Sequence, residues 1–253
     1  MIFKHYLLRN MKHPLNIGAF IFLPLIISVI NIMIIADIPD DALIGGVNIV
    51  STQILFMVII MFQLFAPSLV YDMFWIDFRS DLRWRLLGTP VSINKFLFSL
   101  GASSIVVALL ASTILIVFGV IVFDMYLFNI GVTIAVMFIL AVFSTFLGML
   151  IAIFSKSKGA AEGICHIFVW PQVAPVMMLG ISHPIVTRFT PYALAINAIQ
   201  YSSETFADGM QDINMAFDAG YDMNTVFINI GVLAALTVVT GIVVVVMGKR
   251  RAF

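Results

Sequence analysis

Long apolar runs limit this chain to one class of fold. Of its 253 residues, 62% are apolar and only 10% are charged, against about 25% charged in a soluble domain. About 20 apolar residues suffice for a helix to cross a bilayer. The runs that reach this length are Leu15–Ala36, Val47–Tyr71, Pro90–Phe123, Phe128–Phe154, Gly163–Ser182 and Thr225–Gly248. The sequence therefore predicts an all-α polytopic membrane protein, with six transmembrane helices in one membrane domain covering residues 1–253.

The basic residues predict how these helices are oriented. Lys and Arg collect in cytoplasmic loops, and when six helices alternate in direction every Lys and Arg except Arg188 falls on one side. The acidic residues of the opposite side are Asp37, Asp40, Asp41, Asp124, Glu204, Asp208, Asp212, Asp218 and Asp222. Both termini are therefore predicted to be cytoplasmic.

An amphipathic segment, Met1–His13, precedes the first apolar run. It combines the basic residues Lys4, Arg9 and Lys12 with apolar and aromatic ones such as Tyr6. This pattern is typical of a helix in the membrane interface, with its basic side toward anionic lipid headgroups. A signal peptide is the alternative, but the next run is long enough to span and no small-x-small cleavage site closes it.

A basic stretch, Asp77–Lys95, separates the second and third runs. Every fourth residue from Phe78 to Leu86 is apolar, which places one apolar stripe along a short helix. Gly88 is a typical helix stop, and the Thr-Pro pair ending at Pro90 is a typical helix start. We therefore predict a short cytoplasmic helix and a tight corner over residues 77–89.

The longest outer loop, residues 183–224, is also predicted to be helical. Thr190 and Pro191 repeat the helix-start signature, so a helix is expected through Tyr192–Tyr201. A second helical stretch follows, with its acidic residues on one face. We expect these extracellular or re-entrant helices to dip into the outer leaflet.

Polar residues inside the apolar runs are candidates for a translocation path, because they are costly in lipid. The candidates are Asn31, Gln53, Gln63, Pro171 and Gln172, together with Ser103, Ser104, Ser112 and Thr113 of the third run. Hydrogen bonding between helices is the favoured role of such residues, and contact with a substrate is the alternative. Proline in a span removes a helical hydrogen bond, so kinks are expected at Pro24, Pro67, Pro171 and Pro175. At the cytoplasmic end of the second span, Asp72 and Asp77 are expected to pair with Arg79, Arg83 or Lys95.

Motifs for chemistry are missing from the sequence. It contains no GxxxxGK[ST], HExxH or paired CxxC pattern, so neither nucleotide hydrolysis through a phosphate loop nor a standard zinc site is predicted. Glu162, Cys165 and His166 share one helical turn but lack a fourth ligand. We predict no catalytic residue, no metal and no cofactor in this chain. Nucleic-acid binding is not expected, because there is no basic domain or reader motif.

The layout resembles the ABC-2 type permeases, the membrane subunits of type V ABC exporters. The segment Leu82–Ser99, LRWRLLGTPVSINKFLFS, is similar to the family's LL-x-x-P-V-S corner before the third span. Pro184–Tyr201 is similar to its proline-rich stretch and re-entrant helices between spans five and six. The resemblance covers essentially the whole chain and implies a multi-pass protein of a bacterial cell membrane.

The resemblance also implies partners and a docking site. Two ATP-binding cassette subunits would bind ATP and Mg, and a second permease, identical or homologous, would complete the exporter. The interfacial helix with Lys4, Tyr6, Arg9 and Lys12 would rest on an ATPase subunit. The coupling helix that docks there would contain Arg79, Asp81, Leu82, Arg83, Trp84, Arg85, Leu86, Leu87, Gly88 and Pro90. The expected cargo is an amphipathic peptide or bacteriocin, a drug or a lipid-like molecule.

Three other functions are alternatives to this one. A permease for self-immunity against an antimicrobial peptide would have the same layout. A secondary transporter outside the ABC class would be expected to have charged residues near the bilayer middle and two repeated halves, and the sequence shows neither. An intramembrane enzyme would need a Ser/His or paired-Asp set within the spans, and none is found.

Overall fold

A computed structural model of the chain describes residues 2–13, 16, 18–35, 43–44, 47–78, 93–127, 129–179, 189–202 and 222–251. Helices dominate this part of the chain. Its strand structure is one short antiparallel ladder of β1 (Leu43–Ile44) and β2 (Val47–Asn48), with Leu43 opposite Asn48. The predicted all-α class is confirmed.

The helices follow the predicted order along the chain. In the described part they are α1 (Ile2–Lys12), α2 (Leu23–Ile35), α3 (Ile49–Leu64), α4 (Pro67–Phe78), α5 (Ile93–Phe123), α6 (Ile130–Phe154), α7 (Lys158–Leu179), α8 (Pro191–Gln200) and α9 (Met223–Arg251). A π-helical turn, Gly18–Phe22, leads directly into α2. This widened turn lies just before Pro24, which cannot donate a helical hydrogen bond.

Four helical segments within the described residues are long and apolar enough to cross a membrane. They are Thr52–Phe78, Lys95–Phe123, Ile130–Phe154 and Met223–Met247, and they correspond to the second, third, fourth and sixth predicted spans. The first predicted span contains a shorter apolar helix, Gly18–Asn31. The fifth predicted span overlaps with α7, which begins before it, at Lys158, and also includes the charged residue Glu162. The six-span topology therefore stays a prediction.

The segment Thr52–Phe78 is the central helix of the bundle. Other helices bury 83% of its most apolar 18 residues, against 11% in Met223–Met247. Lipid would therefore reach Met223–Met247 far more. The central helix is interrupted at Phe65 and Ala66, between α3 and α4. Pro67 has no N–H to continue the α-helical ladder, and Ala66 N donates instead to Gln63 O at 3.1 Å. The predicted interruption at Pro67 is confirmed, whereas α7 stays helical through Pro171 and Pro175.

Capping residues explain several helix boundaries. Asn129 and Thr190 accept hydrogen bonds from Val132 N and Ala193 N in the first turns of α6 and α8, which satisfies otherwise free N–H groups. The predicted helix start at Thr190 is thereby confirmed. Asp124 ends α5 with φ of 49°, and the next N–H, that of Met125, donates back to Gly119 O at 3.1 Å. The positive φ of Asp124 turns the chain back over the end of the helix.

Packing holds the bundle together around the central helix. Its α4 half packs on α6, and α6 also packs on α9; α1 packs along α5. Ion pairs from Asp77 to Arg9 and from Asp72 to Lys158 lie at one end of the bundle. At the other end, Tyr126 N donates to the Thr52 hydroxyl at 3.1 Å. We call these the basic end and the opposite end.

Candidate functional site

The predicted coupling residues all lie outside the described part of the chain. They are Arg79, Asp81, Leu82, Arg83, Trp84, Arg85, Leu86, Leu87, Gly88 and Pro90. Their role stays a prediction. What the structure describes is the bundle on both sides of them, from Phe78 at the end of α4 to Ile93 at the start of α5.

Helix α1 is fixed to the bundle by polar contacts at the basic end. Arg9 Nη1 donates to Asp77 Oδ1 at 2.7 Å, in an ion pair between α1 and the last turn of α4. Asn10 is fully buried and donates through Nδ2 to the Ser103 hydroxyl of α5 at 3.3 Å. Because these bonds reach both α4 and α5, α1 ties the second predicted span to the third.

Tyr6 lies in the same contact surface of α1. Its side chain is only 2% exposed. Burial, together with the hydrogen bond to the Asp77 carboxylate, raises the pKa of the Tyr6 hydroxyl, so it stays protonated and can donate. Asp77 is therefore a shared acceptor for Arg9 and Tyr6. One face of α1 is buried against other helices. The exposed apolar residues of α1 are Phe3, Leu8 and Met11.

The second acid of α4, Asp72, is half-buried and is paired with α7. Lys158 Nζ lies 3.1 Å from Asp72 Oδ1 and 3.9 Å from Glu162 Oε1. These partners differ from the predicted ones, since the sequence predicts that Asp72 and Asp77 pair with Arg79, Arg83 or Lys95. Arg79 and Arg83 lie outside the described residues. Asp77 pairs with Arg9 of α1, which packs along α5, and Asp72 pairs with Lys158 of α7, which packs beside α4.

The predicted path residues have different surroundings, and their role in a path stays a prediction. Asn31 donates to Ile27 O of its own helix at 2.8 Å, and Pro171 is exposed on α7. Gln53 and Gln63 are both buried on α3, ten residues apart. Gln63 Nε2 donates to Met137 O of α6 at 2.7 Å. The favoured role, hydrogen bonding between helices, therefore describes Gln63.

Gln172 takes part in anchoring the predicted re-entrant helix α8. Its Nε2 donates to Phe168 O at 2.7 Å, while its Oε1 accepts from Tyr192 N at 3.4 Å. The Tyr192 hydroxyl reaches Met57 O of the central helix at 3.5 Å. Tyr192 is fully buried, as are most residues of α8, so this helix is packed into the bundle.

Some residues that build this site were missed from the sequence. Asn10 stands four residues after Tyr6 on an otherwise apolar face of α1, and this polar position was a readable signal for a buried contact. Ser103 was expected to bond another helix, as a polar residue inside the third apolar run, but Asn10 was not identified as its partner. Tyr192 looked like any aromatic residue of an interfacial helix. Its two long-range contacts follow from tertiary packing.

The described residues do not suggest a metal centre, since no group of three or more His, Cys, Asp or Glu among them could hold an ion. The candidate site consists of the polar contacts that α1 and α7 make with α4, together with the interruption of the central helix. No family model, no curated protein and no solved structure matches this chain.

Proposed function

We propose that this chain is the membrane-spanning permease subunit of an ATP-driven ABC exporter, with six spans and both termini in the cytoplasm. It pairs with a second permease and with two separate ATPase subunits, which bind ATP and Mg. The complex moves an amphipathic substrate, such as a peptide, drug or lipid-like molecule, out of the cytoplasm. The chain itself is not an enzyme, and the chemistry belongs to its partner.

The observation that carries the proposal is the ion pair between Arg9 and Asp77 at 2.7 Å. Asp77 stands two residues before the predicted coupling segment 79–90, so force applied to that segment reaches Asp77 through a short piece of backbone. Arg9 then passes it to α1, and Asn10 passes it to Ser103 of α5. A push from an ATPase at one point would therefore move three helices together.

The interruption of the central helix supports the same mechanism. Continuous helical hydrogen bonding would make the segment Thr52–Phe78 a single rod. The break at Phe65 and Ala66 divides it into two rods, and such interruptions are where helices bend. The rod nearer the basic end, α4, carries both ion-paired acids. It can therefore tilt together with the helices paired to it, while α3 stays packed.

An exposed face of α7 supports pairing with a second permease. His166, Ile167 and Trp170 are exposed there, and the rings of His166 and Trp170 lie 5.5 Å and 5.9 Å from Phe65 at the break. A partner bound on this face would contact the two rods at the point where they separate.

Copurification provides the first test. The tagged chain is purified from its native membrane, and its associated proteins and ATP hydrolysis are measured. We expect an ATP-binding cassette subunit to copurify and to account for all hydrolysis. Hydrolysis by the isolated chain would contradict the proposal, and so would repeated purification without any ATPase subunit.

A double variant tests the docking site. Replacing Arg83 and Trp84 by Ala removes one charge and one aromatic ring from the coupling segment, and we expect loss of substrate-stimulated ATP hydrolysis at normal expression. Replacing Lys156 and Phe154 by Ala is the matched control, because both are exposed at the same end of the bundle. Equal coupling in both double variants would place the docking site elsewhere.

A further inference from the structure

The side chain of Gln63 is held in one orientation two residues before the break in the central helix. Its Nε2 donates to Met137 O at 2.7 Å. A carbonyl can only accept, so this contact fixes which end of the amide faces α6. The other end, Oε1, is buried and accepts no hydrogen bond from any part of the chain that the structure describes.

A buried acceptor without a donor is costly, because it has lost its hydrogen bonds to water and gained nothing in return. The cost is larger in a membrane protein, where solvent does not reach the bilayer core. Gln63 is only 3% exposed. A Leu at this position would avoid the cost, so the presence of the carbonyl oxygen suggests a donor outside the described part of the chain.

A small recess lies beside Gln63, between α3, α5 and the π-helical turn. Its walls include Phe20, Phe62, Ala111 and Ser112. The volume open to the centre of a water molecule is about 10 Å³. One bound water needs ~10–15 Å³ by the same measure. Gln63 is itself one of the residues that line the recess, and its Oε1 is buried without a hydrogen-bond partner among the described residues.

We propose that this recess is a binding site for a single water molecule. The water donates to Gln63 Oε1, and the hydroxyl of Ser112 on α5 is its second polar partner. The remaining walls are apolar, which matches a site of one water and excludes a chain of waters. The bound water links α3 to α5 next to the interruption.

Radiolytic footprinting tests this proposal on the intact chain in lipid nanodiscs. X-rays convert water near a side chain into hydroxyl radicals, so a residue shielded from both solvent and bound water is not oxidised. The matched pair of rings is Phe62, in the wall of the recess, and Phe143 on α6; they are 7% and 4% exposed. In water enriched in oxygen-18, we expect labelled hydroxylation of Phe62 to be several-fold faster than that of Phe143.

Three variants connect the labelling to the recess. Ala111→Leu fills the recess without touching the amide, and Gln63→Leu removes the acceptor; each is expected to lower Phe62 hydroxylation to the rate of Phe143. Gln53→Leu is the control, since Gln53 is a buried glutamine of the same helix that does not line the recess. It should leave the rate unchanged.

The proposal is independent of the exporter function, because the readout is labelling and needs no transport. Equal rates for Phe62 and Phe143 in the unmodified chain would overturn it. Fast Phe62 labelling that persists in both Ala111→Leu and Gln63→Leu would also overturn it, since the water would then come from another place.

Discussion

At the break in the central helix, Gly148 of α6 faces the backbone of Pro67. A Cβ at this position would lie 2.8 Å from Pro67 O and 2.9 Å from Pro67 Cα. Backbone atoms at a helix start cannot swing aside as a long side chain does. Close approach of α6 to the interruption therefore depends on the absence of a side chain at residue 148.

Gly148→Ala is expected to destabilise the protein by about 1–3 kcal/mol, the usual cost of overpacking. Unfolding by heat or by denaturing detergent gives the measurement. Gly163→Ala is the matched control on α7, where an added Cβ meets no atom within 4 Å and alanine favours a helix. Equal stability of the two variants would mean that α6 does not pack on Pro67 as described.

Asp124 at the end of α5 supports a prediction of opposite sign. Its φ of 49° lies in the left-handed region, where a Cβ is unfavourable by about 1–2 kcal/mol. Asp124→Gly should therefore raise the free energy of unfolding by up to about 1 kcal/mol. Asp124→Ala keeps the Cβ while removing the carboxylate, so a gain of the same size in that variant would contradict the explanation.

At the scale of elements, α1 depends on one ion pair and one buried amide for its place. Arg9→Ala leaves the Asp77 carboxylate, which is 6% exposed, without its cation. A hydrogen bond to a charged group is worth about 1.5–3 kcal/mol, so we expect α1 to detach more often. Hydrogen exchange of the backbone amides of α1 in nanodiscs should then become faster.

Lys12→Ala is the control for this prediction, because Lys12 is an exposed basic residue of the same helix. It removes an equal charge and should leave the exchange rates of α1 unchanged. The same exchange rates in both variants would show that the Arg9–Asp77 pair does not hold α1. That result would also contradict the proposal that force passes from α4 to α1 through this pair.

The start of α9 is sensitive to pH through Asp222. The Thr225 hydroxyl and Asn224 N–H donate to its carboxylate, and these bonds lower its pKa in the folded protein. Because the folded pKa is the lower one, the stabilisation is present above the ordinary Asp pKa of about 3.9. It is lost as the pH falls through the lowered value.

Hydrogen exchange at the first turn of α9, corrected for the intrinsic effect of pH, should therefore become faster at acidic pH. Asp222→Asn is the control, since asparagine still caps a helix but does not titrate. If the variant and the unmodified chain show the same dependence on pH, the Asp222 cap does not cause the change.

At the scale of the whole molecule, the helices could be predicted from sequence because their signals are local. Apolar run length marked the spans, and Thr190-Pro191 marked the start of α8. The pairing of Asp77 with Arg9 could not be predicted, since the two residues are 68 positions apart and several other bases offered the same charge. The burial of α8 was equally hidden, because it depends on which helices surround Tyr192.

The distribution of charge predicts the orientation of the whole bundle in the membrane. Lys156 is exposed at the basic end, between α6 and α7, and Asp124 is exposed at the opposite end, between α5 and α6. Basic loops are retained in the cytoplasm. Lys156 should therefore face the cytoplasm and Asp124 the outside of the cell.

Cysteine labelling with a membrane-impermeant maleimide tests this orientation. Cys165 is buried and is first replaced through Cys165→Ser, after which Asp124→Cys and Lys156→Cys are made separately. We expect the first variant to be labelled in intact cells and the second only after permeabilisation, because a single span, α6, separates the two positions. The reverse result would invert the topology and place the predicted coupling segment outside, where no ATPase could dock. Labelling of both in intact cells would show that α6 does not cross the membrane.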